Sequence, residues 1–439
     1  MTILTNGIDW GSRLSGEAVT YFFAPPRETY ATPVGRVTTE KWTAYEKQQF
    51  AEALATFETF TNLDFTEASS RQAADLTLVN WAGGANGPLG VFGPPGTKYA
   101  GTGAFNDQGR GWDGNPGGGL EQGGYGFITV IHEVGHGLGL AHPHDRGGTS
   151  TVFPGVTRDF GDYGQFDLNQ GIHTMMSYND GWPTAPHGIS PSDDYGYEGT
   201  PMAVDIAVLQ DKYGANGSYN RGDDNYTLPT ANASGTFYSC LWDAGGIDTI
   251  RAGATGRNAV IDLHDATLRA ENGGGGFVSY ARGIHGGFTI ANGVVIENAV
   301  GGRGDDRLTG NEAGNVLEGG DGDDRLTGGL GRDVLTGAAD HDTFVFEAVR
   351  DSRAGSGIDR ITDFDRADEI DLTDIDWSGE RGDQAFTFVD GRLSEAGELR
   401  IRQAGGDTFL EAEVNGAGDA DLVIRLDGLV AVREGDLLL

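Results

Sequence analysis

Apolar and polar positions in the first half of the chain follow the spacings of regular strands and helices. The predicted strands cover 19–23 and 75–81, and the predicted helices cover 39–60, 125–140 and 203–213. The last helix is followed by Gly214, a residue type that commonly ends helices. Residues 82–124 are rich in glycine and are predicted to be mostly loop. The pattern of this half therefore predicts a mixed α+β unit.

The composition and periodicity of the sequence change after Asn216. Glycine and aspartate become more frequent, helical periodicity stops, and short apolar stretches alternate with Gly-Asp turns. We expect a domain boundary near 216–220, with one domain over 1–216 and a second over 217–439. The second domain is predicted to be built of short strands and tight turns.

A repeat with a period of nine residues occupies 301–345. Its five units begin at Gly301, Gly310, Gly319, Gly328 and Gly337. The eighth position is always apolar, and the residues there are Leu308, Leu317, Leu326, Leu335 and Phe344. The sixth position carries Asp306, Asn315, Asp324, Asp333 and Asp342. Since nine residues cannot bury an apolar face alone, the units are expected to stack into a parallel β-roll in which positions 18 residues apart form rows.

The turns of this repeat carry the chemistry of a calcium site. Glycine lets backbone carbonyls approach one another closely, and carbonyl and carboxylate oxygens are the ligands that Ca²⁺ prefers. The predicted calcium ligands in the repeat are Gly302, Gly304, Asp306, Asn315, Gly320, Gly322, Asp324, Gly329, Gly331, Asp333 and Asp342. The second unit has lost one glycine and the charge, so its half-site is expected to be weaker. The alternative interpretation is a solvated acidic loop.

Composition adds to this picture. The chain has 439 residues, with 30 Lys and Arg against 65 Asp and Glu, for a formal net charge of −35. This charge argues against general electrostatic binding to nucleic acid or to an anionic membrane. It also suggests that the acidic turns repel one another until calcium binds, so that ion binding drives folding of the roll.

Cysteine content and hydropathy exclude further classes. The only cysteine is Cys240, which rules out an intrachain disulfide framework and any multi-cysteine zinc site, and we interpret it as a buried small hydrophobe. No apolar run approaches 18 residues, and the first residues do not form a Sec signal peptide. The protein is thus expected to be cytoplasmic or to leave the cell by a route that does not read the N-terminus.

The catalytic motif lies at 132–142. His132 and His136 are four residues apart and share one face of a helix, so both can bind one ion. Glu133 is positioned to act on water at that ion. Gly139 can adopt a positive φ, end the helix and turn the chain so that His142 becomes a third ligand. Three histidines leave an open position on Zn²⁺, as in catalytic sites.

This string, followed downstream by His173-Thr174-Met175-Met176-Ser177-Tyr178, resembles the metzincin signature with its Met-turn. With the repeats, the chain resembles the serralysin family of secreted, calcium-dependent zinc metalloproteases. The resemblance implies an α+β zincin-type protease domain, with a twisted sheet and long helices, followed by an all-β parallel β-roll or β-sandwich domain. It implies that Met176 forms the floor of the zinc site and that Tyr178 is an additional zinc ligand and a donor to the oxyanion. Without the resemblance, Met175 and Met176 would be interpreted as residues packed in the core.

The resemblance covers nearly the whole chain and implies further calcium ligands. A first site after the boundary is expected to combine the Asp243 and Asp248 side chains with the carbonyls of Gly222, Asp224 and Gly245, and Glu297 is expected to reach another calcium. The tail Glu434-Gly435-Asp436-Leu437-Leu438-Leu439 is similar to the C-terminal secretion signal that a type I exporter reads, although it also reads as a terminal strand. The resemblance implies an extracellular monomer with protein substrates, the exporter and a periplasmic proteinaceous inhibitor as partners. The resemblance also implies one zinc ion and several calcium ions as cofactors.

The expected reaction is hydrolysis of peptide bonds, with Glu133 as general base. The strand over 76–81 is expected to be the sheet edge to which an extended substrate adds antiparallel. Three alternatives are a calcium-dependent binding module, another metzincin family and an inactivated peptidase; the intact motif and the roll argue against them. His144 is a candidate for an adventitious metal ligand, although a surface or cleft role is the favoured interpretation. The sequence departs from the family at Asn179, where many members have an aromatic residue, and in a short region before the first strand that leaves little room for a propeptide.

Overall fold

A computed structural model of the protein describes residues 1–254, 256–355, 357–377 and 385–439. In the first half the elements are α1 (Ile3–Ile8), β1 (Ala18–Phe23), β2 (Thr29–Thr32), β3 (Gly35–Thr38), α2 (Ala44–Phe60), β4 (Asp64–Glu67), β5 (Leu76–Trp81), β6 (Gly90–Phe92), β7 (Thr102–Asn106), α3 (Tyr125–Leu138) and α4 (Ala203–Tyr213). The five predicted elements correspond to β1, β5, α2, α3 and α4. Strands β6 and β7 lie inside the glycine-rich segment that was expected to be mostly loop.

Local sequence explains where the two long helices begin and end. At the start of α2, the Thr43 hydroxyl accepts the N–H of Glu46 at 3.1 Å, and the Glu46 carboxylate accepts the N–H of Thr43 at 2.7 Å. This reciprocal capping explains why α2 begins at Ala44 and not at residue 39. Helix α3 ends at Gly139, which adopts φ of +98°, a conformation that glycine reaches without strain.

The sheet of the first half has the strand order β4-β1-β5-β7-β6. Its first four strands run parallel, and β6 pairs antiparallel with β7 at one edge. The expectation that residues 76–81 form the substrate-binding edge is therefore wrong, because β5 is hydrogen-bonded on both sides. Helix α3 packs against β6, β7 and α2, which places the catalytic motif beside that edge.

The second half consists of strands joined by tight turns. In chain order they are β8 (Asn225–Thr227), β9 (Tyr238–Leu241), β10 (Thr249–Arg251), β11 (Ala259–Asp262), β12 (Ser279–Ala281), β13 (Gly287–Ile290), β14 (Asn298–Val300), β15 (Arg307–Thr309), β16 (Val316–Asp321), β17 (Arg325–Thr327), β18 (Val334–Ala339), β19 (Thr343–Val345), β20 (Asp359–Ile361), β21 (Glu369–Asp371), β22 (Thr387–Phe388), β23 (Glu398–Ala404), β24 (Asp407–Ala412), β25 (Leu422–Leu426) and β26 (Leu437–Leu438). They form two sheets, one with ten of these strands and one with nine.

The predicted roll is confirmed, and so is its register. Strands β15, β17 and β19 run parallel, with Leu308 opposite Leu326 and Leu326 opposite Phe344. On the other side of the roll, Leu317 of β16 lies opposite Leu335 of β18. All five position-eight side chains are fully buried, so the apolar residue of each repeat fills the space between the two sheets. The rows at 18-residue spacing follow directly from this stacking.

The apolar core runs without interruption from the first half into the roll. Helix α4 ends at Tyr213 and β8 begins at Asn225, and the boundary near 216–220 stays a prediction. Cys240 of β9 is buried, and burial raises the pKa of its thiol to about 12, in agreement with a packing role. Among the helices that the described part of the chain contains, none combines the length and apolarity needed to cross a bilayer.

Candidate active site and metal centres

The three histidines of the motif converge on one point. His132 and His136 project from one face of α3, and the turn at Gly139 brings His142 back to meet them. The His142 Nε2 atom lies 3.2 Å from Nε2 of His132 and 2.9 Å from Nε2 of His136. Two nitrogen ligands of a tetrahedral zinc ion, each about 2.0–2.1 Å from the metal, lie about 3.3 Å apart. The donor set and its spacing therefore fit a zinc ion.

The opposite nitrogen of each ring is held by an oxygen. Nδ1 of His132 lies 2.7 Å from the Met175 carbonyl, Nδ1 of His136 lies 3.0 Å from the Leu140 carbonyl, and Nδ1 of His142 lies 2.8 Å from an Asp145 carboxylate oxygen. These contacts fix the Nε2 atoms as the ones free to bind a metal. Burial, and then the neighbouring His142, lowers the pKa of His136 to about 3, so the ring stays neutral. Burial likewise moves the pKa of His132 well below its usual value.

Glu133 lies beside this cluster with an unsatisfied carboxylate. It is only 7% exposed, and its Oε2 atom has no hydrogen-bond partner among the described residues. Burial raises the pKa of the carboxyl group to about 8. The carboxylate borders a cleft cavity of about 270 Å³ that also reaches His132 and Tyr178. A buried acceptor that faces a water-sized space next to a metal site is suited to taking a proton from water.

The Met-turn lies directly beneath α3. Met175 and Met176 are fully buried, and a side chain at Gly135 would meet the Met175 methyl group at 2.6 Å and the Met176 sulfur at 2.9 Å. Asp205 of α4 holds this turn, because its carboxylate accepts the Thr174 hydroxyl at 2.7 Å and the Met175 N–H at 2.7 Å. Sequence reasoning missed Asp205, which looked like an ordinary acidic residue in the first turn of a helix.

Tyr178 lies close to the histidine cluster. Its ring centroid is 4.7 Å from that of His142 and 5.8 Å from that of His132. Burial, and then the charge of Glu133, raises the pKa of its hydroxyl, so the group stays a proton donor. His144 stacks on His142 with centroids 4.8 Å apart, and its Nδ1 has no partner within the described ranges. The hypothesis that His144 binds a further metal stays a prediction.

The edge strand β6 borders the other side of the cleft. Gly90 lines the cavity together with Glu133. A Cβ atom at residue 90 would lie 2.5 Å from Cγ of Glu133, which is closer than real Cβ contacts come. Glycine at this position therefore leaves room for the Glu133 side chain, and nothing in the sequence pattern indicated this.

At the predicted first calcium site the structure brings the side chain of Asp224 to those of Asp243 and Asp248, whereas the expected ligand, the Asp224 carbonyl, accepts the N–H of Thr249 at 3.0 Å. Ligand oxygens of Asp224, Asp243 and Asp248 lie within 4.8 Å of one another, and Oδ2 of Asp248 is buried without a partner in the described part of the chain. The Gly222 carbonyl borders the same turn, near Gly246, and the N–H of Gly245 donates to Asp243 at 2.8 Å. These neighbours fit a cation. Glu297, expected at another calcium, accepts the N–H of Asp248 at 2.8 Å with one carboxylate oxygen, and its role as a calcium ligand stays a prediction.

The carboxylates of the roll form two ladders. Along one, Oδ1 of Asp324 accepts the N–H of Asp306 at 2.7 Å, and Oδ1 of Asp342 accepts the N–H of Asp324 at 3.0 Å. Along the other, Asp333 accepts the N–H of Asn315 at 2.7 Å. The second oxygens of Asp324, Asp333 and Asp359 are buried, and none has a partner where the structure describes the chain. Buried carboxylate oxygens without a hydrogen-bond partner fit a bound cation, which would satisfy them.

Electrostatics and backbone geometry agree with a cation between the turns. Burial raises the pKa of Asp324 to about 8 and that of Asp333 and Asp342 to about 7. Without a compensating positive charge, these carboxylates resist ionisation. The predicted carbonyl ligands lie at glycines in the turns, and positive φ angles occur at Gly320, Gly322, Gly329 and Gly331. Gly302, Gly304 and Asp306 belong to the same stack: a side chain at Gly320 would clash with the Gly302 carbonyl, and one at Gly322 with the Gly304 carbonyl.

The turn over 310–315 differs from its neighbours. Nδ2 of Asn315 donates to the Glu297 carbonyl at 3.0 Å and to Oδ1 of Asn311 at 3.1 Å, while Nδ2 of Asn311 donates to the carbonyls of Leu263 and Ile296 at 3.0 and 2.9 Å. Oδ1 of Asn315 accepts the N–H of Asn311, and Oδ1 of Asn311 accepts the N–H of Ala313. Both amides are thus satisfied without an ion, so their side chains do not fit calcium as the aspartates do.

Comparison with known proteins agrees with these observations. The family model described as the peptidase M10 serralysin C-terminal region matches residues 205–439, and the matrixin model matches residues 29–159. The metallopeptidase AprA of Pseudomonas marginalis is 34% identical over 419 residues, which cover 90% of this chain and 80% of the relative. Serralysin of Proteus mirabilis is 32% identical over 449 residues, which cover 94% of this chain and 86% of the relative. The chain belongs to the serralysin family of zinc metalloendopeptidases.

Proposed function

We propose that this protein is an exported, calcium-dependent endopeptidase that binds one zinc ion through His132, His136 and His142. The observation that carries the proposal is the convergence of three oriented imidazoles beside the unsatisfied Glu133 carboxylate at the wall of an open cleft. Hydrolysis by a zinc-bound water needs nitrogen ligands that hold the zinc ion and an acidic side chain beside them that takes up a proton.

Zinc, when bound, supplies Lewis acidity to the scissile carbonyl and lowers the pKa of water at the open position. Glu133 accepts the proton as water attacks the carbonyl, and it then passes that proton to the leaving amine. Its burial suits both roles, because a raised pKa makes the carboxylate a stronger base than an exposed glutamate.

Tyr178 is proposed to act at the oxyanion. A hydroxyl that stays protonated near the histidine cluster can donate a hydrogen bond to negative charge that develops on the carbonyl oxygen. The proposal includes a second role for Tyr178, which the family resemblance implies: its oxygen also binds zinc when no substrate is present. Met176 packs against α3 below the ligands and keeps the helix in position.

An extended protein substrate is proposed to pair with β6. This strand is the edge of the sheet next to the cleft, and its free side offers backbone hydrogen-bonding groups to an added strand. Backbone pairing holds a substrate in extended form with little dependence on sequence, which suits an enzyme that acts on proteins.

The roll is proposed to bind several calcium ions through the predicted aspartates and glycine carbonyls and thereby to fold, while Asn315 is left out because its amide is already hydrogen-bonded. The export proposal rests on the family pattern at 434–439. In the folded protein Leu437 and Leu438 pair with β21, so a type I exporter would read this signal in the unfolded chain. A periplasmic proteinaceous inhibitor remains a proposed partner. The two-domain division over 1–216 and 217–439 is part of the same proposal.

The test is to refold the full chain with and without Ca²⁺, to count bound metals by mass spectrometry, and to measure cleavage of casein. We expect one zinc and several calcium ions per chain, with activity only in the calcium-loaded sample and loss of activity to a zinc chelator. A metal-loaded, folded protein that leaves casein and a denatured peptide mixture intact would contradict the proposal.

A further inference from the structure

The cleft cavity beside Glu133 has both apolar and polar lining. Leu89, Ile128 and Phe160 supply the apolar lining, and Tyr125 and Asp180 contribute polar groups. Its volume of about 270 Å³ lies near the lower end of the range for ligand pockets, so it suits one amino-acid side chain better than a longer piece of substrate. The cavity is continuous with the position of the scissile bond, because Glu133 and Tyr178 form part of the same wall.

Asp180 brings a carboxylate to the lining of the cavity. The Tyr125 hydroxyl bonds to this carboxylate. The neighbouring cation, Arg110, is engaged elsewhere: its Nε and one terminal nitrogen donate to Asp193 at 3.0 and 2.6 Å, and its guanidinium lies 4.2 Å from the centre of the Tyr125 ring. Arg110 donates its hydrogen bonds to Asp193, but its charge also acts on Asp180: burial raises the pKa of the Asp180 carboxyl group to about 6, while Tyr125 and the charge of Arg110 act to lower it. The Asp180 carboxylate lines the cavity as an acceptor.

We propose that Asp180 makes this cavity a subsite for a long side chain with a cationic tip, Lys or Arg, on a residue that flanks the scissile bond. This inference rests on the proposed function of the site. The apolar lining covers the methylene stem of such a side chain, and the Asp180 carboxylate receives its charged donor. A purely apolar side chain of the same length would leave the Asp180 carboxylate facing it unpaired, which disfavours that substrate.

The test uses the full-length enzyme loaded with zinc and calcium. Cleavage of a proteome-derived peptide library is read by mass spectrometry and should show enrichment of Lys and Arg at one position adjacent to the cut. Two matched peptides, with lysine or the uncharged norleucine at that position, then give a ratio of kcat/KM values. We expect this ratio to favour lysine by about tenfold or more.

The variant Asp180→Asn should lower that ratio toward one, with most of the change in KM for the lysine peptide, and Asp180→Glu should restore part of it. The control Asp194→Asn makes the same charge change nearby, at a carboxylate bonded to Ser192 and outside the cavity wall, and should keep the ratio. Equal rates for both peptides, or an unchanged ratio in Asp180→Asn, would overturn the inference while cleavage of casein still supports the proposed function. If casein itself is not cleaved, it is the proposed function that fails.

Discussion

The carboxylate of Asp205 accepts the backbone N–H of Met175 at 2.7 Å, and the carbonyl of the same Met175 lies 2.7 Å from Nδ1 of His132. One residue of the Met-turn thus joins α4 to the proposed zinc site. Because the contact to Nδ1 orients the imidazole, we predict that Asp205→Ala weakens zinc affinity about 10- to 100-fold. Competition with a fluorescent zinc chelator measures this change.

A matched control lies on the same helix. Asp211 is exposed on α4, and its substitution by alanine removes the same charge without touching the Met-turn. Zinc affinity in Asp211→Ala should equal that of the wild type. A normal zinc affinity in Asp205→Ala would show that packing alone holds the turn.

Glu133→Gln should abolish catalysis while leaving zinc binding intact. The amide keeps the size of the side chain but cannot take up a proton, so we expect peptide hydrolysis to fall by at least about 10²-fold. The three histidines and their oxygen partners are unchanged, and the variant should therefore still contain one zinc per chain. Parallel assays of metal content and casein cleavage check both parts. Retained proteolysis would remove Glu133 from the role of general base.

Gly90→Ala should impair the enzyme through Glu133. The added methyl group would lie 2.5 Å from Cγ of Glu133, so either the edge strand β6 or the carboxylate has to move. We expect kcat to fall by more than tenfold with zinc content unchanged, since a small misplacement of a catalytic group is costly. Gly217→Ala is the control, because residue 217 is exposed and has open space around its Cβ position. Full activity in Gly90→Ala would mean that β6 moves away from Glu133 at little energetic cost.

The double variant Asn311→Gly, Asn315→Asp should bind one more calcium ion than the wild type. It restores glycine at the second position and a carboxylate at the sixth position of the turn, as in the unit of Asp324. The amide hydrogen bonds that close this turn are lost at the same time. Equilibrium dialysis with calcium counting tests the prediction, with Asn115→Asp in an exposed loop as the charge-matched control. An unchanged calcium count would indicate that the ion site needs more than these two residues.

Acid should weaken the junction between the first half and the roll at His187. Its Nε2 lies 3.2 Å from the Tyr238 hydroxyl, its ring packs against Trp182, Tyr280 and His285, and burial, then the charge of His285, lowers its pKa to about 4. The unfolded chain, with an ordinary histidine pKa near 6.5, binds a proton that the folded chain rejects. Stability should therefore be full above about pH 6.5 and decline as the pH falls toward 4.

The contribution of His187 can be isolated with His187→Gln. Guanidinium unfolding midpoints at pH 7 and pH 5, both at saturating calcium, should differ less in this variant than in the wild type. Equal pH effects in the two proteins would assign the acid sensitivity to other groups. The neighbouring His285 has a pKa lowered by burial and should contribute in the same direction.

Features set by local spacing were predictable from the sequence. The His132, His136 and His142 cluster follows from helix periodicity and one glycine turn, and the opposition of Leu308 and Leu326 follows from the 18-residue repeat. The sheet order was not predictable in the same way. Strand β6 has only three residues within a glycine-rich segment, and its place at the edge is decided by pairing with β7 and not by its own pattern.

Roles that depend on distant contacts were also missed. Asp205 is 30 residues away from Met175, and nothing near it in sequence distinguishes it from a residue that caps a helix. Asp359 continues the carboxylate ladder of Asp333 across an irregular gap of 26 residues, after the nine-residue period has ended. Asn315 was expected to be a weak calcium ligand, but its amide contacts depend on the carbonyl of Glu297 in another coil.

The ladders of the roll have a direction. Each carboxylate accepts the N–H of the residue one coil earlier: Asp306 receives from Ala259, Asp324 from Asp306, Asp342 from Asp324 and Asp368 from Asp342. Each coil therefore needs both neighbours: its N–H donates to the carboxylate of the coil that follows, and its own carboxylate accepts the N–H of the coil before. A cut at either end of the ladder leaves a different group unsatisfied at the new terminal coil, a backbone N–H after a C-terminal cut and a carboxylate oxygen after an N-terminal cut.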